Sequence, residues 1–321
     1  MNGHANGTSE TVWASATTSG RLGRADAAAY LERISLPLAL LDESPSLDLL
    51  RQLQSAHILA VPFESLTLHV PDWHDDDAEI HLGGGHPVRL GNDAYNRIVR
   101  LRRGGFCFSA NSSFAAFLRY FGFRVSECAG RVFSFQRKDP AEAGYSWEPT
   151  SHHIRFEDGA SQTSIPAADY YELHRTDRLP GSDPSLQPDM PPYWTVWRRN
   201  TSASGSSYMS PVYSFALQSV AFVDFKVLNN FQFSSLEARF RTFLVATNLH
   251  NNGERRTLQF DDSSKDPQGR RAAKLYTTTA VVEGQREQEK DVEWIEMRVG
   301  PVKRVLERDF GMLFPSDYAG N

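Results

Sequence analysis

Residues 102–123, RRGGFCFSANSSFAAFLRYFGF, constrain this chain more than any other stretch. Two adjacent glycines make a tight turn, and Phe114, Phe117, Leu118 and Phe121 then fall at i, i+3, i+4 and i+7, the spacing of one helix face. Gly122 ends that helix. The pattern predicts a long amphipathic helix with Cys107 in its first turn. Unpaired N–H groups and the positive end of the helix dipole favour thiolate over thiol there, and Arg102 and Arg103 add positive charge nearby. Judged on position alone, Cys107 is either a nucleophile or a small packed residue beside a turn.

Composition narrows the setting of that cysteine. Among 321 residues only Cys107 and Cys128 are cysteines, which excludes a disulfide framework and implies a reducing, cytoplasmic setting. Cys128 lies in the strand-like run RVSECAGRVFSF with nothing beside it to activate it, and reads as core packing. A net charge of −5 gives no general attraction to nucleic acid or anionic membrane. No apolar run approaches the ~18 residues of a membrane span. The first residues lack the basic and apolar regions of a secretory signal, so the sequons at Asn6, Asn111 and Asn200 are expected to be idle.

The organisation reads as an α+β chain. Residues 1–24 are small and polar and read as a flexible tail, with Asp26 the expected cap of a first helix carrying Tyr30, Leu31 and Ile34. A second helix is expected from Ser46. Residues 71–95, with Asp75–Asp77, Gly83–Gly85 and Pro87, read as an irregular insertion. From about 124 onward short strands dominate, 176–211 reads as loop, and strands are expected at Val220–Leu228, Thr242–Ala246 and Leu275–Val282 before a final helix from Val299 to Phe310.

A cysteine nucleophile needs a base close in space, usually histidine. Of ten histidines, the pair in SHHIRF (151–156) stands out. Alternation puts His152 on the face of Ile154 and Phe156, and His153 with Arg155 on the other. An inward His152 is the better base, with His153 the runner-up; a hydrogen-bonded core histidine is the bland alternative. His69, His86, His174 and His250 sit in polar or loop contexts and read as surface. Gly83–Gly85 lacks the lysine of a phosphate loop, the acidic run HDDD (74–77) reads as solvated, and no Cys or His spacing suggests a metal.

With VPFESLTLH some forty residues upstream, RRGGFCFSAN resembles the arylamine N-acetyltransferase family, in which [IV]PFEN-L-x-x-H precedes RGG-x-CFE-x-N and the cysteine is the nucleophile. FGFRVSECAGRVF, SHHIRF, VYSFALQSVAFVDFKVLNNFQFSS and DFGMLF resemble successive later stretches of the family, and the insertion and long tail resemble its filamentous-fungal branch. The resemblance implies a papain-like cysteine acyltransferase architecture: a helical bundle with Cys107 (25–123), a β-barrel with His152 (124–215) and an α/β lid (216–321). It implies ping-pong transfer from acetyl-CoA or another acyl-CoA to an aromatic amine or hydrazine, through an acyl-cysteine and without metal. Phe63, Phe106 and Phe108 would line the amine pocket.

Two departures accompany the resemblance. The family's Glu two residues after the cysteine is Ser109 here. More consequentially, the strand reading roughly YLVDVGFG, whose Asp orients the imidazole, has no counterpart, and the chain runs about a dozen residues short between His152 and Asp169. Losing a triad acid can lower turnover roughly 10⁴-fold. Asp158, Asp169 and Glu157 are the acids left to substitute. A relocated acid, a weakened homologue and a gene model lacking the segment all fit. Two rival readings stand beside it: a papain-like protease or transglutaminase, which share the Cys–helix, His–strand logic, with the missing CGSCW-type signature counting against the protease, and a non-enzymatic accessory protein that binds acyl-CoA or an aromatic ligand without turnover.

Overall fold

Thr11 decides where the first helix begins. Its hydroxyl donates to the Asp26 carboxylate and accepts from the Gly23 amide, so Asp26 sits inside the first turn and is not its cap. The computed structural model describes residues 10–13, 19–134, 139–152, 161–163, 170–185, 192–201, 205–279 and 289–315, with the backbone alone at 143, 148–152, 161–163 and 201. The flexible tail expected over 1–24 is corrected in part: β1 (Val12–Trp13) and β2 (Gly20–Arg21) form an antiparallel hairpin. Trp13 meets Tyr95 edge-on at 5.3 Å, and Leu22 is buried. Indole area and a buried leucine hold this segment to the core.

The N-terminal unit holds α1 (Arg24–Arg33), α2 (Leu47–Ala60), β3 (Phe63–Glu64), α3 (Asn92–Tyr95) and α4 (Cys107–Tyr120). Ser46 caps α2 by accepting from the Leu49 amide, as its residue type predicts. The helices enclose Tyr30, Leu31, Leu53, Tyr95 and Phe117, with Tyr30 stacked on Phe117 at 4.2 Å. α4 ends at Gly122, whose φ of 85° suits a residue without Cβ.

A six-stranded antiparallel sheet follows, in the order β5-β4-β9-β8-β7-β6. Its members are β4 (Cys128–Phe133), β5 (Trp147–His152), β6 (Ser161–Thr163), β7 (Tyr170–Thr176), β8 (Tyr193–Thr201) and β9 (Ser207–Ser219), with a short α5 (Pro140–Ala143) between the first two strands. Two expectations are corrected here. No pairing among the described residues closes the sheet into a barrel; β5 and β6 are its edges. The loop expected over 176–211 contains β8 and the start of β9. Pro, Ser and Gly crowd the ends of these strands and mask a ladder in which Leu173, Val196 and Phe215 pack together on one side while Thr195 and Ser214 bond across the strands at 2.9 Å.

The last part comprises α6 (Phe222–Ser234), α7 (Arg239–Thr242), β10 (Leu244–Leu249), β11 (Arg255–Phe260), β12 (Ala272–Thr278), β13 (Glu289–Glu296) and α8 (Val299–Phe310). The strand expected at Val220–Leu228 is instead the start of α6. Its inward stripe is Phe222, Phe225, Asn229 and Gln232, so half of the buried positions are polar, while Val223 and Val227 are exposed; hydropathy alone therefore hides the helical period. The expected final helix is α8, with the same ends. Its Val302, Val305, Leu306 and Phe310 cover the sheet β13-β12-β11-β10-β3. The boundary at 123 is crossed by this sheet. Its last strand is β3, and Ile80, within the irregular 71–95 segment, is fully buried in the same core.

Candidate active site

The turn entering α4 is built by two short motifs locked together. A Cβ on Gly104 would lie 1.8 Å from the Pro62 carbonyl oxygen, and one on Gly105 would lie 2.1 Å from Ser109 Oγ. Gly104 admits only hydrogen because its obstacle is backbone, whereas a Cβ on Gly105 would force the Ser109 hydroxyl to turn away. The Gly105 amide donates to the Pro62 carbonyl (3.2 Å), and the Glu64 amide donates to the Gly105 carbonyl (3.4 Å). Arg103 and Glu64 carry the same pairing into their side chains, 3.8 Å apart and both almost fully buried. The Glu64 carboxylate also accepts from the Leu66 amide at 2.6 Å. Arg103 is thus a structural cation, not a free charge beside the cysteine as its sequence position suggests.

Cys107 is the first residue of α4 and is half-buried; neither it nor Cys128 forms a disulfide. Among the described residues no side chain caps this helix end. The thiol borders a cluster formed by Phe106, Phe108, Phe222 and Phe225, with Phe63, Phe233 and Phe240 packed against it. Of the three aromatics expected to contact an amine, Phe106 and Phe108 are fully buried, and Phe63 is half-buried, facing Phe240 at 5.6 Å. Ser109 is also fully buried and donates to the Phe106 carbonyl at 3.1 Å. A small side chain is what fits beneath Gly105. Burial, reinforced by the adjacent Glu127 carboxylate, pushes the Cys128 thiol up, in keeping with a packing role.

α4 lies against β5, so the strand that ends at His152 adjoins the cysteine helix. In the β4–β5 ladder Cys128 is opposite His152 and Ala129 is opposite Ser151. Ala129 packs into the aromatic cluster bordering Cys107. His153, Asp158, Asp169 and Glu157 lie outside the described residues, as does the side chain of His152.

His69, read as a surface residue, is completely buried. Its Nδ1 accepts from the Gly83 amide at 3.0 Å, and Nε2 lies 3.4 Å from Ser65 Oγ. Burial lowers its pKa to about 4, against the raising effect of the Phe243 and Phe240 carbonyls. A neutral imidazole with an accepting Nδ1 carries its proton on Nε2. His69 therefore ties the 81–85 loop to the segment entering β10. The triple glycine belongs to this junction: a Cβ on Gly85 would lie 2.3 Å from the Thr67 carbonyl oxygen. The signal available in the sequence was its place as the last position of VPFESLTLH, between the apolar Leu68 and Val70.

Among the described residues no three His, Cys, Asp or Glu side chains are grouped to hold a metal ion. No helix there is long and apolar enough to cross a membrane.

Comparison with known proteins sets this geometry in context. A family model described as N-acetyltransferase matches residues 46–152, which contain both locked motifs, Cys107 and His152. The chain is 30% identical over 156 residues to N-malonyltransferase FDB2 of Fusarium pseudograminearum, covering 43% of this chain and 42% of that protein. It is 36% identical over 87 residues to arylamine N-acetyltransferase of Escherichia coli, covering 27% and 26% respectively. The chain thus spans less than half the length of these relatives. In fold, it superposes on arylamine N-acetyltransferase from Salmonella typhimurium with a TM-score of 0.59 at 19% identity, covering 92% of this chain and 94% of that one. It also superposes on a Bacillus cereus arylamine N-acetyltransferase described as having a Cys-His-Glu catalytic triad, with a TM-score of 0.58 at 14% identity, covering 90% and 99%.

Proposed function

We propose, on the family-model match over residues 46–152, that the chain is a member of the N-acetyltransferase family and a cysteine acyltransferase that moves an acyl group from an acyl-CoA to an aromatic amine or hydrazine. The observation that carries this reading is the placement of Cys107 at an uncapped helix start, on a turn over-determined by Pro62, Glu64, Gly104 and Gly105. The Cys107 sulfur attacks the thioester carbonyl, forming a new carbon–sulfur bond as the bond to coenzyme A breaks. The departing coenzyme A thiolate takes a proton. The amine nitrogen then attacks the acyl-cysteine, its proton leaves to the base, and the cysteine is released. First-turn N–H groups of α4 are the donors suited to the transient oxyanion.

His152 is assigned the base, on its motif and on β5 lying against α4. His153, the neighbouring histidine of SHHIRF, is the alternative. The orienting acid is assigned to the segment after His152, where Glu157, Asp158 and Asp169 are available. A glutamate in this role has a parallel in the Bacillus cereus enzyme.

The relatives' names include both acetyl and malonyl transfer, so the decisive experiment offers acetyl-CoA and malonyl-CoA in turn with an arylamine and follows amide formation. Transfer that disappears in Cys107→Ser is expected. Transfer unchanged by that substitution overturns the mechanism. One observation favours a second reading, a protein of this fold that binds acyl-CoA without turnover: the motif DVGFG does not occur in the sequence. That reading predicts stabilisation by acyl-CoA with no amide product.

A further inference from the structure

The C-terminal end of the chain returns to the cysteine turn. Beyond α8, the Leu313 amide donates to the Leu101 carbonyl at 2.8 Å, and Phe314 lies against Arg103, with the guanidinium carbon 5.6 Å from the ring centroid. Trp73, from the irregular insertion, meets the same guanidinium at 5.1 Å and packs on Phe314 at 4.4 Å. Both rings are delivered by α8. Lys303 donates to the Trp73 carbonyl at 3.1 Å and pairs with Asp76 at 2.5 Å. The Val299 and Gly300 amides donate to the Ala78 and Asp76 carbonyls.

What these rings cover is a turn under strain. Arg102 adopts φ of 51°, a left-handed conformation that disfavours a residue with a side chain and persists only when neighbours hold it. Arg33 holds the Arg102 carbonyl at 3.1 Å, Leu313 holds Leu101, and the two rings hold Arg103. Four residues later the chain reaches Cys107. We infer that Trp73 and Phe314 are positioning residues for Cys107, a two-ring cap through which the C-terminal helix fixes the arginine turn and thereby the geometry of the thiol.

This inference rests on Cys107 being the reactive thiol, and its test separates the two. The full chain is treated with iodoacetamide across a pH series, and the second-order rate of Cys107 modification is followed by peptide mass spectrometry in wild type, Phe314→Ala, Phe314→Tyr and Trp73→Leu. A guanidinium–ring contact that is desolvated is worth enough to change a rate several-fold. The account expects Phe314→Ala to slow alkylation about five- to tenfold and move the pH midpoint, Trp73→Leu to do so less, and Phe314→Tyr to restore both. Trp73→Leu keeps apolar cover and reports even if Phe314→Ala does not fold. A pH profile in Trp73→Leu and any folded Phe314→Ala that matches wild type overturns the inference and leaves the nucleophile standing. An unreactive wild-type Cys107 overturns both.

Discussion

A Cβ placed on Gly104 would lie 1.8 Å from the carbonyl oxygen of Pro62. The obstacle is backbone, so it cannot rotate away. Gly104→Ala must therefore push the turn and the 62–64 segment apart, at a cost of about 3 kcal/mol. Urea denaturation followed by circular dichroism is expected to show that loss, whereas Gly144→Ala, with nothing within 4 Å of its Cβ and only a positive φ to oppose it, is expected to lose less.

Glu64 and Arg103 make a second prediction. Removing one member of a buried ion pair leaves the other uncompensated, typically costing ~3–5 kcal/mol. Glu64→Ala also orphans the Leu66 amide. A loss in that range is expected in the same denaturation assay. A loss below about 1 kcal/mol would show that the pair contributes little to the turn.

Acid should destabilise this protein through two buried imidazoles. His57, bonded to the Tyr30 hydroxyl at 3.0 Å and stacked on Phe114, has its pKa lowered to about 3 by burial, with Arg33 adding to the effect. His69 is lowered to about 4. Both folded values lie below the unfolded value of ~6.5, so the unfolded chain binds the extra protons. Their contribution is complete above about pH 6.5 and is lost as pH falls toward the folded values. Between pH 7 and 5 the two together should remove roughly 3–4 kcal/mol. Urea midpoints across that range test this, and His57→Gln, which can still accept from Tyr30, should flatten about half of the slope.

Much of this was legible beforehand, for identifiable reasons. Ser46 as a cap, Gly122 as a stop and the limits of α8 follow from local chemistry that the tertiary structure does not override. The place of Cys107 at the start of α4 was visible because a glycine pair and a clean 3.6 period adjoin. α6 was hidden because Asn229 and Gln232 occupy buried helix positions. β8 was hidden by the turn-forming residues at its ends. His69 was misplaced because its burial depends on a loop fourteen residues away, and Trp73 and Phe314 meet only through α8.

The two histidines of SHHIRF give a further expectation. His152→Ala and His153→Ala, assayed separately for amide formation with acetyl-CoA and an arylamine, should differ: His152→Ala loses transfer while His153→Ala retains most of it. The reverse result would move the base to His153.

The most direct measurement is the intact mass of the full chain after mixing with acetyl-CoA, without any amine. The account predicts one added acetyl group, mapped to Cys107, absent in Cys107→Ser, retained in Cys128→Ser, and discharged when an arylamine is supplied. An unmodified chain under conditions where malonyl-CoA also leaves no adduct, or an adduct that survives Cys107→Ser, would contradict it.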